Sequence, residues 1–359
     1  MRPSERDELL GIVYSLLVKR AKEKIPFYAE LYKGVDVSRL ASMEDIMNLP
    51  VLRKESTLHS NGLREAIRES KEVLKPVDVK GTSVWTTTGS TGMTQIPVHY
   101  AEPWDFDIEN YAVARIWDSL GISPEDNVYD CYNPAHPGGF MFPGVCRIVG
   151  ASHRFKPPEF SVEDTARELR EWYNGRSPFT VLLAVPSSTG DPLGRKGTNL
   201  KTLLDESMDV FGGHGINKLF LIGSGITSEL IERIEGELHG IKGSGGYGTA
   251  EHRPLAYSPV NGDAGRVCKY NQQHLTFGPH YVFLGRDQGD RVAPIFTPGE
   301  EGEVYTIGLR YGTPLILYKT GDMATIITDN CSCGRTTPVI GNIRRLDPEE
   351  IAGVGCRYD

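Results

Sequence analysis

Two short apolar runs, FTVLLAV at 179–185 and LFLIG at 219–223, constrain the fold of this chain more than any other feature. Each run is continuous rather than alternating, so each reads as a strand covered on both faces. Ahead of the first, Ser161 to Asp164 has the spacing of a helix start. Leu169, Trp172 and Tyr173 then fall inward and Gly175 is the stop signal. After the second, Thr227 or Ser228 can cap a helix that carries Leu230, Ile231, Ile234 and Leu238 on one side. Strand and helix alternate, which predicts an α/β fold.

The flanks differ in texture. Residues 4–24 open with Ser4 and Asp7 in S-x-x-D spacing and then place Leu9, Leu10, Val13, Leu16 and Leu17 on one helical face. Ser42-Met43-Glu44-Asp45 starts a second short helix closed by Pro50. From about residue 278, YVFLG, GEVYTIGL and TPLILYKTGDMATIIT read as strands and turns. The expected organisation is a helical lead-in over 1–55, an α/β core over 56–265, a β-rich portion over 266–340 and a hinge-like tail over 341–359.

Charge and length exclude several functions. A net charge of −8 with no basic run argues against a nucleic-acid partner. The apolar runs are far too short to cross a bilayer and MRPSERDELL has no signal-peptide core, so a cytoplasmic protein without a membrane partner is expected. Six cysteines in 359 residues, two of them in Cys331-Ser332-Cys333, fit reduced thiols and a metal site better than a disulfide framework.

Polar, small-residue segments punctuate this frame. TTTGSTGMTQIP at 86–97 offers hydroxyls from Thr86, Thr87, Thr88, Ser90 and Thr91, with Gly89 and Gly92 to turn N–H groups toward one point. That suits an anion, but it is not a Walker loop: the spacing differs and Met93 stands where a lysine is needed. The plain alternative is a polar surface turn. The two apolar runs end in Pro186-Ser187-Ser188 and Ser224-Gly225, at strand ends where α/β sheets gather ligands. GSGGYGTAE at 243–251 reads as a glycine-rich loop ending in Glu251, and YKTGDMA reads as a strand followed by a turn holding Asp322.

The order of these motifs, with CxCGR after them, resembles the adenylate-forming ligases, especially the phenylacetate–coenzyme A ligase branch. The resemblance runs over nearly the whole chain, including IPFYAELYKGVDVSRLASMEDIMNLPVLRKE, GEEGEVYTI and CSCGRTTPVIGNI. It implies the large N-terminal domain of that fold: two α/β subdomains and a smaller β-rich, distorted-barrel subdomain. It implies joining of a carboxylic acid to ATP, with release of pyrophosphate and formation of an acyl-adenylate. Such chemistry brings two anions together, so donors and a divalent cation must neutralise the charge.

By the same resemblance Thr87, Thr88, Gly89, Ser90, Thr91 and Gly92 match the phosphate loop, and Glu251 matches the Mg²⁺ ligand. Ser224, Gly225 and Ile226, with Gly246, Tyr247 and Gly248, match the walls of the adenine site. Asp322 matches the carboxylate that accepts from the ribose hydroxyls. Arg345 matches the basic residue that follows, and Asp347 the hinge aspartate. Glu251, Asp322, Thr249 and Arg345 are therefore the candidate catalytic residues. Tyr132, Asn133, His136 and Phe140 lie where the family builds its acid-binding wall, and Trp85 is close in sequence; an aromatic acid is the expected substrate. The plain reading of those four is core packing and a satisfied loop histidine. Cys268, His274, Cys331 and Cys333 supply three thiolates and an imidazole, a set that suits structural zinc, against the alternative of four unrelated residues.

Two departures keep alternatives open. Ala250 stands where the family has a phosphate-contacting hydroxyl, with Thr249 one place early. Full-length family members continue for roughly a hundred further residues as a mobile small domain, so the large domain alone is expected here. The resemblance thus extends to stand-alone adenylating proteins of natural-product pathways such as phenazine antibiotic biosynthesis. The acyl acceptor would then be a partner protein or coenzyme A. The alternatives are acyl-protein synthetase-like transfer to a thiol, for which Cys356 is a candidate, and a nucleotide- and acid-binding protein without turnover.

Overall fold

The computed structural model describes residues 3–346 except 54–62, 64–65, 68–69, 87–95, 102, 133, 135–136, 176–178, 187–197, 212–214, 224–225, 259–271, 277–278 and 290. Thr87, Thr88, Gly89, Ser90, Thr91, Gly92, Asn133, His136, Ser224, Gly225, Cys268, Asp347 and Cys356 therefore lie outside the described residues, as do the side chains of Trp172 and Tyr173.

The lead-in begins with helix α1 (Pro3–Lys24). Its buried stripe is Tyr14, Leu17, Val18 and Ala21, while Leu9 is exposed and Leu16 is 63% exposed, so the expected face is corrected by part of a turn. The cause is Gly11, whose position would set a Cβ 2.9 Å from the Ala41 carbonyl oxygen and so lets the 41–43 segment dock there. Helix α2 (Pro26–Leu31), which the hydrophobic pattern does not announce, starts on a proline at its first turn. Helix α3 (Met43–Met47) has the expected start: Ser42 and Asp45 exchange hydrogen bonds as a capping box. A hairpin follows, β1 (Thr82–Thr86) and β2 (Pro97–Ala101), with Thr86 paired opposite Pro97 at its mouth. Residues 87–95 join those two strands. Helix α4 (Trp104–Ser119) comes directly after.

The α/β half then alternates as its sequence predicts. In order come β3 (Asn127–Asp130), α5 (Pro137–Val149), β4 (Ser152–Phe155), α6 (Val162–Gly175), β5 (Val181–Ala184), α7 (Leu200–Glu206), β6 (Lys218–Leu221), α8 (Ser228–Glu237) and β7 (Lys242–Tyr247). Asp164 N donates to Ser161 Oγ at 3.0 Å ahead of α6, and Leu230 N to Thr227 Oγ1 at 3.2 Å at the start of α8, which settles Thr227 as that cap. The strands pair in parallel in the order β4-β3-β5-β6-β7. Along β5, Leu182 and Ala184 face the cluster of α6, α7 and α8, while Val181 and Leu183 face Trp117, Phe142 and Val145 from α4 and α5. Cover on both faces is what the unbroken apolar runs require.

The remaining strands are β8 (Ala256–Tyr257), β9 (Gln273–Leu275), β10 (His280–Asp287), β11 (Val292–Ile295), β12 (Glu301–Gly308), β13 (Tyr318–Thr328) and β14 (Val339–Arg345). All are antiparallel to their neighbours and extend the parallel half into one twelve-stranded sheet, ordered β11-β10-β12-β13-β14-β9-β8-β7-β6-β5-β3-β4.

Three expectations are corrected here. GSGGY is not a loop but most of strand β7, buried over 243–246 and kept narrow because a Cβ at Gly246 would press on the Phe220 ring at 3.3 Å. Asp322 sits inside β13 rather than in a turn after it, since Gly321 at φ 81° kinks the strand without ending it. Residues 341–345, expected in a tail, complete β14. The lead-in packs on the β-rich half: Tyr14, Tyr28 and Ile46 share a core with Phe283, Tyr305 and Leu315. Among the described residues no helix is long and apolar enough to cross a membrane.

Candidate active site

Strand β7 ends where the sheet changes from parallel to antiparallel, and chain leaving that end is free to bend over the sheet edge. The turn after it is closed by Thr249 N donating to the His252 carbonyl at 2.9 Å and His252 N donating to Thr249 Oγ1 at 3.1 Å. It carries the half-buried Ala250 and the buried Glu251. Glu251 is fixed at both ends. Tyr318 Oη donates to its Oε1 at 2.9 Å, and Arg310 Nη1 donates to its carbonyl.

The second carboxylate arrives on β13. Asp322 Oδ2 accepts from Tyr247 Oη at 2.7 Å and Oδ1 from Arg345 Nη1 at 2.9 Å, Arg345 being its cross-strand partner on β14. Burial pushes the Asp322 carboxyl above its ordinary value; Arg345 and Tyr247 oppose that shift, and Glu251 adds to it. Arg345 in turn feels Asp322, Glu251 and Tyr318. Glu251, Asp322, Tyr247, Arg345 and Tyr318 thus share one partly desolvated electrostatic environment, with Thr249, Ala250, Gly246 and Gly248 on the adjoining backbone. Glu251 is a hard oxygen donor of the kind that a divalent cation such as Mg²⁺ takes. Ile226 packs beside the start of α8.

The acid-wall residues separate. Tyr132 is buried and its hydroxyl is taken up by main chain, near the Ala184 carbonyl at 2.8 Å and the Ile222 carbonyl and N–H at 2.5 and 2.8 Å. It is a brace across the strand ends, so only its ring is left to meet a ligand. Phe140 is 43% exposed and lies 4.9 Å from Trp85 and 5.3 Å from Phe106, ring to ring, at the foot of the hairpin. That aromatic group is the part of the expected wall that the described residues contain.

Beneath the site lies a buried charge cluster that sequence reasoning missed. Glu109 on α4 accepts from Arg310 Nε at 2.7 Å and pairs with His280 Nε2 at 3.1 Å and Arg253 Nη2 at 3.4 Å. Its burial works against ionisation, but Arg310, His280 and Arg253 hold the carboxyl down at about 2. The rings of His252 and His280 lie 4.5 Å apart, and burial, then neighbouring positive charge, keeps His252 neutral. Burial likewise lowers His280, against the pull of Glu109. The only hint in sequence is that Asp105 and Glu109 stand four apart in an aromatic-rich helix, a spacing shared by countless surface pairs.

The fold disfavours the second proton on both histidines, which they take up near 6.5 when unfolded, so their contribution is full above that pH and falls as pH drops below it. The slope reaches at most about 1.4 kcal/mol per pH unit for each histidine, and only between its folded and unfolded values. Asp130, pushed up to about 6 by burial, works in the opposite sense over the same window. The reading is therefore a difference: melting temperatures from pH 7.5 to 5 should fall less steeply for His280→Gln than for the unaltered chain. Equal slopes would remove the histidines from the account.

His274 on β9 meets Cys331 and Cys333 from the β13–β14 connection, their donor atoms all within 4.8 Å of one another. His274 Nδ1 lies 3.1 Å from the Thr337 carbonyl, which can only accept, so Nδ1 carries the proton and Nε2 turns its lone pair toward Cys333 Sγ at 3.2 Å. Burial lowers the imidazole's affinity for a second proton, leaving the neutral form that binds metal. The three described donors fit a zinc ion; Cys268, the fourth of the expected set, is outside the described residues.

No family model and no curated protein matches this chain. Among solved structures it is similar to an open conformation of 2-hydroxyisobutyryl-CoA ligase in complex with 2-HIB-AMP and CoA, at 18% identity and TM-score 0.71 over 97% of this chain and 69% of that one. The same ligase in its thioesterification state aligns at 19% identity and TM-score 0.71, over 97% and 70%. An o-succinylbenzoate CoA synthetase from Bacillus subtilis, in complex with its acyl-adenylate intermediate, aligns at 18% identity and TM-score 0.50, over 71% of this chain and 47% of that one. With a parallel sheet running into an antiparallel one and these alignments, the chain has the mixed α/β fold of the large N-terminal domain of adenylate-forming ligases.

Proposed function

We propose that this protein activates a carboxylic acid, aryl in class, by adenylation. The observation that carries the reading is the meeting of Glu251 and Asp322, 71 positions apart, in one desolvated cluster with Tyr247 and Arg345. Mg·ATP would lie along the end of β7, with Tyr247 beside the base, Asp322 accepting from the ribose hydroxyls, and Glu251 holding the cation against the phosphates. The hydroxyl–glycine segment between β1 and β2 would take the outer phosphates, and the Trp85–Phe140 pair would face the acid. Attack of the carboxylate oxygen on the α-phosphorus forms the acyl–phosphate bond and breaks the α–β bridge, so pyrophosphate leaves with the electron pair. The bound Mg²⁺ supplies charge neutralisation, and Arg345 adds positive charge from the side of the ribose.

One observation favours a second reading, a binding protein without turnover. Ala250 brings no hydroxyl, and Thr249 Oγ1 already accepts from His252 N. A lost bond to a charged group is worth about 1.5 to 3 kcal/mol, tenfold or more in rate. Pyrophosphate exchange into ATP across a panel of aryl and aliphatic acids decides between the two. Exchange with an aryl acid supports adenylation; tight nucleotide binding without exchange supports the binder; neither overturns both.

The reading includes a structural zinc held by Cys268, His274, Cys331 and Cys333, supported by the three described donors standing within 4.8 Å of one another. Metal analysis should find about one zinc per chain, lost in Cys333→Ser with a lowered melting temperature. A metal-free protein of unchanged stability would remove it.

A further inference from the structure

The hairpin, the Glu251 turn and the segment before β13 are tied together from underneath by α4. Asp105 Oδ2 accepts from Ala101 N at the end of β2 and from Gly312 N, both at 2.8 Å, and its Oδ1 accepts from Tyr311 N at 2.6 Å. One turn along the helix, Glu109 takes the Nε and Nη2 of Arg310. Arg310 also reaches Tyr100 Oη of β2 at 2.9 Å through Nη2, and the main-chain carbonyl of Glu251 through Nη1. Three of its nitrogen donors are in use at once, in directions that a guanidinium has and an ammonium lacks.

We infer that Arg310, clamped by Glu109, is a positioning residue: it fixes the main chain at Glu251 and thereby sets how tightly the nucleotide site takes a divalent cation. This rests on the reading of Glu251 as the Mg²⁺ ligand. An outer partner of a metal ligand acts by holding that ligand's orientation, so its loss weakens the metal while contacts made elsewhere by the nucleotide persist. Arg310 does not reach the carboxylate of Glu251, which Tyr318 holds; its effect passes through the backbone.

The test is calorimetric titration of ATP into the full chain and into Arg310→Lys, at rising Mg²⁺ and in excess EDTA. The half-saturating Mg²⁺ concentration should rise about tenfold or more, while metal-free ATP affinity stays within about twofold. An unchanged Mg²⁺ dependence in the folded variant overturns the inference, and so does an equal loss of metal-free affinity, which marks a merely structural role. Should circular dichroism show Arg310→Lys unfolded, Arg310→Met, which leaves Glu109 paired with the buried Arg253 at 3.4 Å, carries the same test with the same outcomes. Pyrophosphate exchange on the same samples separates this inference from the adenylation reading. Exchange by the unaltered protein with an unshifted Mg²⁺ dependence in the variant defeats the positioning role alone. Absence of exchange, with the shift present, defeats adenylation alone. An unaltered protein whose ATP binding ignores Mg²⁺ defeats both.

Discussion

On the proposed orientation of the nucleotide, Asp322→Ala should lower pyrophosphate exchange by roughly 10²- to 10⁴-fold, because two ribose hydroxyls would each lose a charge-assisted hydrogen bond of about 1.5 to 3 kcal/mol. The substitution also frees Arg345 and Tyr247, which Asp322 holds at 2.9 and 2.7 Å, so part of any loss comes from rearrangement. Asp322→Asn isolates the charge, since its amide oxygen can still accept from Tyr247 while the ion pair with Arg345 is gone. Its expected position is between the unaltered chain and the alanine variant, with nucleotide affinity falling in step with exchange. Exchange by Asp322→Ala within threefold of the unaltered rate, in a folded protein, would remove the ribose assignment and with it the orientation of the nucleotide along β7.

Glu109→Ala should destabilise the protein by about 3 to 5 kcal/mol, the range for removing one partner of a buried ion pair. The size follows from what remains. Arg310 and Arg253 stay buried without the carboxylate that bonds them both, only Asp105 remaining to act on Arg310, and Arg253 already has Nε and Nη1 without partners. An exposed pair is the control: Arg286 and Glu300 lie 2.9 Å apart with the arginine 63% exposed, and Glu300→Ala should cost no more than about 1 kcal/mol. Urea denaturation followed by circular dichroism measures both. Equal, small losses would mean that the cluster under Glu251 is as well solvated as the surface, contrary to its burial.

How much of this was legible in the sequence depends on how far each feature reaches. FTVLLAV and LFLIG announced buried strands because cover on both faces leaves no polar alternation, and the Ser42–Asp45 and Thr227 caps are local signals read over four residues. β7 is hidden because Gly246 serves close packing against Phe220 on the neighbouring β6, and glycine alone reads as a turn. Asp322 reads as a turn residue for the same reason, Gly321 beside it marking a kink. Of the candidate site, the carboxylates and Tyr247 were found through the family resemblance. Tyr318, Arg310 and Glu109 were not, since their roles exist only through partners such as the Arg310–Glu109 pair, 201 residues apart. His274 and Cys333 are separated by 59 residues, yet their chemistry is uncommon enough to be picked out in advance.

The shared core of the lead-in and the late strands sets a schedule on the ribosome. Tyr28 Oη donates to the Pro314 carbonyl at 2.8 Å across 286 positions, and the core that α1 shares with α2 and α3 is completed by Phe283, Tyr305 and Leu315. At about 5 to 20 residues per second of translation, the first helices would wait roughly 15 to 60 seconds for the strands that cover them. During that interval Tyr14, Leu17, Val18 and Ala21 leave an amphipathic segment uncovered, so a stretch made long before its partners is among the last to be sheltered.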